Sequence, residues 1–271
     1  CGFSWREWTA LTGKTRQRSH GVVMKETLRF SKISECGPVR EQNEDNLATY
    51  RHESGWPCAF IVADGMGGHQ HGELASQIAV DYCRERLAAD LGSLNQPERL
   101  ESLLSDVIQK ANIKVYLKSL EDQRNSGMGT TLTMAVFFQD SVYVAHIGDS
   151  RCYILRGGVM EKLSRDHTVV QEMLDAKTIT EEEGATHPQR HILTQALGVP
   201  EYLQPEVLHL DLKRHDRFLL CSDGLHGFVD DFSLGETLRM STDPDSCARD
   251  LVDLALKKGS NDNITAIVIF A

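Results

Sequence analysis

Six acidic positions sit where a folded chain could aim them. Asp64 closes the apolar run Phe60-Ile61-Val62-Ala63 and is followed by Gly65-Met66-Gly67-Gly68. Asp223 closes a second run, Phe218-Leu219-Leu220-Cys221-Ser222, and again a glycine follows, Gly224. Asp262-Asn263 stands directly before a third, from Ile264 to Phe270. Asp149 lies in the break Gly148-Asp149-Ser150-Arg151 between two strand-like segments, and Glu44-Asp45 open the segment ahead of the Phe60 run. A carboxylate at the end of a rigid strand is held in place, and glycine beside it lets backbone and ligand approach closely. A single Asp-Gly pair reads as an ordinary turn. Its repetition at distant points of the chain argues for a shared polar site. The set offers oxygen donors without a consistent His or Cys, which selects hard cations, Mg²⁺ or Mn²⁺, over zinc or copper. Crowded carboxylates repel one another unless cations join them. Two cations about 3.5–4 Å apart can share a carboxylate, activate a water and clamp a phosphoryl oxygen. The very slow hydrolysis of phosphate monoesters needs that kind of charge stabilisation.

The elements that must position these acids follow from periodicity. Leu28 to Glu35 alternates as a strand. Gly37-Pro38 marks a turn, and the polar run Arg40 to Asn46 leads into a strand at Leu47 to Tyr50, one hairpin away from Asp64. Neighbouring strand residues face opposite sides, so at most one of Glu44 and Asp45 looks straight into a site. Gly72 to Leu91 and Pro97 to Leu120 carry apolar residues at helical spacing and read as long, core-facing helices. Short turns join strands at 132–138, 141–147, 152–155 and 159–163, which implies antiparallel pairing. Residues 165–198 read as a polar, mostly helical insertion beside the site. Its Glu181-Glu182-Glu183 run is a solvated face, and Pro188 between His187 and His191 argues against a helical zinc pair. Strands at 207–210, 218–221 and 265–270 and helices at 232–240 and 245–257 complete an α+β layering.

The totals set limits. A chain of 271 residues, 41% hydrophobic, can bury one large core. A net charge of -10 without a basic run argues against nucleic acid as a partner. No apolar stretch approaches the ~18 residues of a membrane span. Seven scattered cysteines without a CxxC pair read as reduced thiols in a cytoplasmic protein. Residues 1–26 are polar and basic, and a flexible N-terminal extension is expected there.

Six segments occur in one order: Arg40 to Asp45 (REQNED), Asp64 to Gly68 (DGMGG), Gly129 to Leu132 (GTTL), Gly148 to Arg151 (GDSR), Ser222 to Gly224 (SDG) and Asp262 to Thr265 (DNIT). Together they resemble the metal-dependent protein phosphatases of type 2C, the PPM family, in a bacterial-like form. The resemblance implies a four-layer αββα sandwich over residues 27–271, two antiparallel sheets flanked by helices, with a flap at about 165–198. It implies that Asp64 bridges two Mn²⁺ or Mg²⁺ ions and that the Gly65 carbonyl binds one of them. Asp223 and Asp262 would complete the first ion's shell. Glu44 would reach the second mainly through water, with Asp45 in the same shell, and Asp149 with Asp223 would hold a third, weaker ion. Asp64 and Asp223 are thereby the catalytic acids, and Arg40 would bind the substrate phosphate.

The implied activity is hydrolysis of phosphoserine and phosphothreonine on proteins by a water activated between the two ions. The substrates would be proteins phosphorylated by a Ser/Thr kinase in signal transduction, and the enzyme a monomer without nucleic-acid or membrane partner. One position departs from the family's animal members: Met66 stands where they carry a histidine thought to protonate the leaving alcohol. Two rival readings remain, a phosphoprotein-binding module without turnover and a hydrolase of small phosphate esters.

Overall fold

The computed structural model describes residues 28–67, 71–94 and 96–271. The expected N-terminal extension at 1–26, and His69 beyond the glycine turn, lie outside the described residues. The strands are β1 (Arg29–Glu35), β2 (Asp45–Arg51), β3 (Cys58–Met66), β4 (Gly129–Thr130), β5 (Leu132–Phe138) and β6 (Ser141–Ile147). They continue with β7 (Arg151–Arg156), β8 (Val159–Lys162), β9 (Glu206–Asp211), β10 (Arg217–Cys221) and β11 (Ile264–Phe270). The α-helices are α1 (His71–Asp90), α2 (Leu100–Glu121), α3 (Val169–Asp175), α4 (Glu181–Ala185), α5 (Asp223–His226), α6 (Asp231–Met240) and α7 (Pro244–Lys257).

The strands form two antiparallel sheets, ordered β1-β11-β10-β7-β8 and β2-β3-β5-β6-β9, with β4 paired to β3. Alternation along each strand explains the layers. Phe60, Val62, Phe137, Val144, Phe218, Leu220, Ile267 and Ile269 fill the space between the sheets. Their neighbours Ile61, Ala63, Met134 and Val136 face outward onto Ala75, Ala79 and Leu87 of α1 and Leu104 and Ile108 of α2. On the other side Leu219, Ala266 and Val268 meet Leu234 of α6 and Ala248, Leu251 and Ala255 of α7. Strands covered on both faces must be apolar throughout, which is why β3, β5 and β11 read as continuous runs. The expected four-layer αββα sandwich is the observed one.

Phe137 sits at the middle of the inter-sheet layer. Its ring meets those of Phe60 at 5.5 Å, Phe218 at 5.2 Å and Trp56 at 6.3 Å, all edge-on. Phe137→Ala is expected to cost about 3–5 kcal/mol, read as a lowered midpoint in urea; a loss below about 1 kcal/mol would contradict this packing.

The insertion at 165–198 is less helical than its composition suggests. Only α3 and α4 are α-helical there, capped by Thr168 and Thr180. Glu183 is consumed in a capping box with Thr180. Lys177 with φ 56° ends the first helix, and turns carry the segment through Pro188. Bridges Thr168 to Leu193 and Thr130 to Leu197 stitch the insertion to itself and to the sandwich. Among the described residues no helix is long and apolar enough to cross a membrane.

Candidate active site

One end of the sandwich gathers the strand-end acids. Asp45, the first residue of β2, stands opposite Asp64 of β3 in the pairing register. Asp223 opens α5 directly after β10, Asp262 lies two residues before β11, and Asp149 occupies the turn between β6 and β7. Asp45 is 5% exposed and Asp149 9%, and Asp64, Asp223 and Asp262 are half-buried. Burial and mutual repulsion act on the set together. Burial, with Asp223 and Asp262 nearby, raises the Asp45 carboxyl to about 7 despite the Ser222 hydroxyl bonded to it. Burial and the Asp223 charge raise Asp149 to about 8. Asp64 is pushed well above the carboxylate range by burial and by Asp45, Asp223, Asp149 and Asp262. Asp223 is raised by burial and by the Asp262 charge. Crowding and burial raise the proton affinity of these carboxyls, and a bound cation would relieve the same repulsion.

Small polar residues fix the acids, and the pattern reading assigned them no role. The Thr131 Oγ1 accepts the Asp64 N–H at 2.9 Å. The Thr130 hydroxyl and the Thr131 N–H donate to the Asp64 carbonyl, each at 2.9 Å. The Ser222 hydroxyl donates to Asp45 Oδ2 at 2.7 Å, across 177 residues of sequence and between the two sheets. Asn263 secures the loop that carries Arg40 and Glu44. Its Oδ1 accepts the Glu44 N–H at 2.8 Å, and its Nδ2 donates to the Cys36 and Gln42 carbonyls at 2.8 and 2.9 Å. The available signal was their place inside the short motifs, as polar residues beside apolar strands. Asn263→Ala is expected to cost about 2–4 kcal/mol, because it strands an amide and two carbonyls. It should also raise KM more than it lowers kcat; unchanged stability and KM would refute this role.

Close approach explains two glycines. A Cβ on Gly65 would stand 2.1 Å from the Gly72 carbonyl oxygen, and one on Gly224 would stand 1.9 Å from the Asn263 carbonyl oxygen. These contacts bring the start of α1 and the Asp262-Asn263 turn against the acids.

Arg40 and Glu44 take different positions from the acid group. Arg40 Nη2 pairs with Asp262 Oδ2 at 2.7 Å, with its side chain 49% exposed at the lip of the site. Glu44 precedes β2, and its buried Oε1 has no hydrogen-bond partner. Asp45 and Glu44 diverge, Asp45 toward Ser222 and Glu44 toward Gly72. From the flap, the exposed His191 brings Nδ1 to 3.9 Å from Asp223 Oδ2. Met66 lies half-buried at the end of β3, opposite Gly129.

Among the described residues, no three His, Cys, Asp or Glu side chains are already drawn around one point that could hold an ion. The donors nevertheless suit hard divalent cations. They are carboxylate oxygens whose crowding raises their proton affinity, and Glu44 contributes a buried oxygen still lacking a partner.

The sequence signature described as Protein phosphatase 2C matches residues 39–262. The chain belongs to the protein phosphatase 2C family. It is therefore an enzyme of the phosphatase class. Its sequence is 35% identical over 237 residues to the serine/threonine phosphatase stp of Listeria monocytogenes, covering 86% of this chain and 92% of that protein. The fold matches serine/threonine phosphatase Stp1 from Staphylococcus aureus with a TM-score of 0.86 at 30% identity, over 94% of this chain and 99% of that one. The catalytic domain of serine/threonine protein phosphatase PstP in complex with two manganese ions matches with a TM-score of 0.76 at 33% identity, over 90% of this chain and 99% of that one.

Proposed function

We propose that this phosphatase hydrolyses phosphoserine and phosphothreonine on proteins, using Mn²⁺ or Mg²⁺ held by Asp64, Gly65, Asp223, Asp262, Glu44 and Asp45, with Asp149 and Asp223 serving a third ion. The observation that carries the reading is the convergence of Asp45, Asp64, Asp149 and Asp223 from separate strand ends into one mutually repelling group. The serine/threonine specificity of the relatives and the manganese of the PstP domain support it. Divalent cations bound there supply activation of the attacking water and neutralisation of phosphoryl charge.

The chain's own residues do the rest. Arg40 presents a planar fork to two phosphoryl oxygens. Thr130, Thr131, Ser222 and Asn263 hold the acids against displacement when substrate binds. Attack by water leaves no covalent phosphoenzyme: Cys83, Cys152 and Cys221 are fully buried, with thiols that burial pushes far up, and the half-buried Cys36 thiol donates to the Arg40 carbonyl at 3.2 Å. Because Met66 carries no proton, solvent water protonates the leaving alkoxide. The phosphatase unit spans residues 27–271, with the flap at 165–198, and acts as a cytoplasmic monomer on proteins phosphorylated by a Ser/Thr kinase.

The test is phosphate release from a phosphothreonine peptide in Mn²⁺, Mg²⁺ or EDTA, for the wild type and Asp223→Asn, beside a sugar phosphate. Cation-dependent release from the peptide, abolished by EDTA and by the substitution, is the expected result. Tight peptide binding without release would favour a binding module, and faster release from the sugar phosphate a small-ester hydrolase.

A further inference from the structure

Behind Asp149 lie two buried histidines that the proposed chemistry leaves unused. His146 on β6 is 1% exposed and His167, at the root of the flap, 3%. Their rings stack with centroids 5.0 Å apart. Their hydrogen bonds assign the proton on each neutral ring. The Gly148 N–H donates to His167 Nδ1 at 3.1 Å, so that nitrogen holds a lone pair and the proton sits on Nε2. The Thr133 hydroxyl gives its one hydrogen to the Ser150 carbonyl at 2.8 Å. It can therefore only accept from His146 Nδ1, 2.8 Å away, which places the lone pair on His146 Nε2. Neither Nε2 has a direct hydrogen-bond partner. The Nε2–H of His167 faces the Glu206 carboxylate at 3.8 Å.

His167 grips Gly148 twice, because its own N–H also donates to the Gly148 carbonyl at 2.7 Å. Its carbonyl in turn accepts the N–H of the flap residue Thr194 at 2.8 Å. The next residue after Gly148 is Asp149, whose carbonyl accepts from His226 Nε2 at 3.0 Å. A ring whose bare nitrogen is committed to an amide is a poor metal ligand. It is well placed to hold that amide still, as groups outside a ligand shell do elsewhere.

We propose that His167 is the positioning residue for Asp149: Glu206 keeps the ring in the Nε2–H tautomer, Nδ1 and the main chain clasp Gly148, and the flap hangs on the same residue through Thr194. Seating of the flap and placement of Asp149 are then coupled. The proposal rests on the reading of Asp149 as a cation-binding acid.

Two measurements test it. Long-range ¹⁵N–¹H correlation on the cation-free wild type, with His167 assigned by its disappearance in His167→Asn, should show the Nε2–H form at His167 and the Nδ1–H form at His146. An Nδ1–H form at His167 overturns the proposal. Mn²⁺ titration followed by the paramagnetic signal of free ion is the second measurement. Asn at 167 keeps an acceptor near the position of Nδ1, whereas Phe does not. His167→Asn should stay within about threefold of wild type for the most weakly held ion, and His167→Phe should weaken it about tenfold or more. Equal binding by His167→Phe overturns the proposal. If His167→Phe fails to fold, Glu206→Ala takes its place: it should populate the Nδ1–H form at His167 and weaken the same ion, and no change in either overturns the proposal. A wild type that shows the expected tautomers but binds no Mn²⁺ overturns the reading of Asp149, and with it the positioning role.

Discussion

Asp64→Asn is expected to lower phosphate release from a phosphothreonine peptide by about 10³-fold or more, while making the cation-free protein more stable. The two effects share one cause. Asp64 lies among Asp45, Asp149, Asp223 and Asp262, and burial together with those charges pushes its carboxyl well up. Asn keeps the shape and removes a charge that the folded chain cannot solvate, so the fold gains on the order of 1–3 kcal/mol at pH 8. The melting temperature in EDTA should rise by roughly 2–6 °C. With the charge goes the ability to hold a cation, so added Mn²⁺ should stabilise the variant less than the wild type. A variant with both lower stability and retained turnover would show that Asp64 is a structural residue.

The second large effect is on stability as a function of pH. Asp45 is raised to about 7 and Asp149 to about 8, both above the value of an unfolded chain. A carboxyl whose folded value is raised stabilises the fold while protonated, and loses that contribution as pH rises through the folded value. Two histidines, the buried His146 and the half-buried His226, act in the opposite direction at lower pH. Burial lowers His146 to about 4 and His226 well below its usual range, so both oppose folding once the unfolded chain protonates them. Above about pH 6.5 less than about 1 kcal/mol of that contribution remains, and the carboxyls dominate. Between pH 6.5 and 8.5 the cation-free protein is therefore expected to lose about 2–3 kcal/mol. Saturating Mn²⁺ should abolish the loss, because on the proposed reading it would bind the ionised carboxylates of the folded state only. Denaturant titrations at the two pH values, in EDTA and in Mn²⁺, check this. Stability that rises with pH in EDTA would mean that the acids are already compensated within the protein.

Much of this protein was legible in its chain because the relevant signals are local. An apolar run ending in Asp-Gly is a strand with a carboxylate at its tip, wherever the strand ends up. Asp64 and Asp223 could thus be singled out, and strands buried on both faces announce themselves by lacking polar alternation. The helical spacing of α1 and α2 is equally local, and so is the order of the motifs. The helical content of the flap was misjudged because polar composition does not separate a short capped helix from a turn.

Tertiary structure alone decided which acids face one another and what holds them. The Ser222 bond to Asp45 and the Arg40 pair with Asp262 span 177 and 222 residues. The grip of Asn263 on the Glu44 loop spans 219. Nothing in the spacing of those residues encodes such contacts. Charge repulsion falls with distance and grows with burial, and both quantities exist only once the two sheets have packed. The same holds for His146 and His167, whose proton positions follow from single donors and acceptors brought together by β5, β6 and the flap.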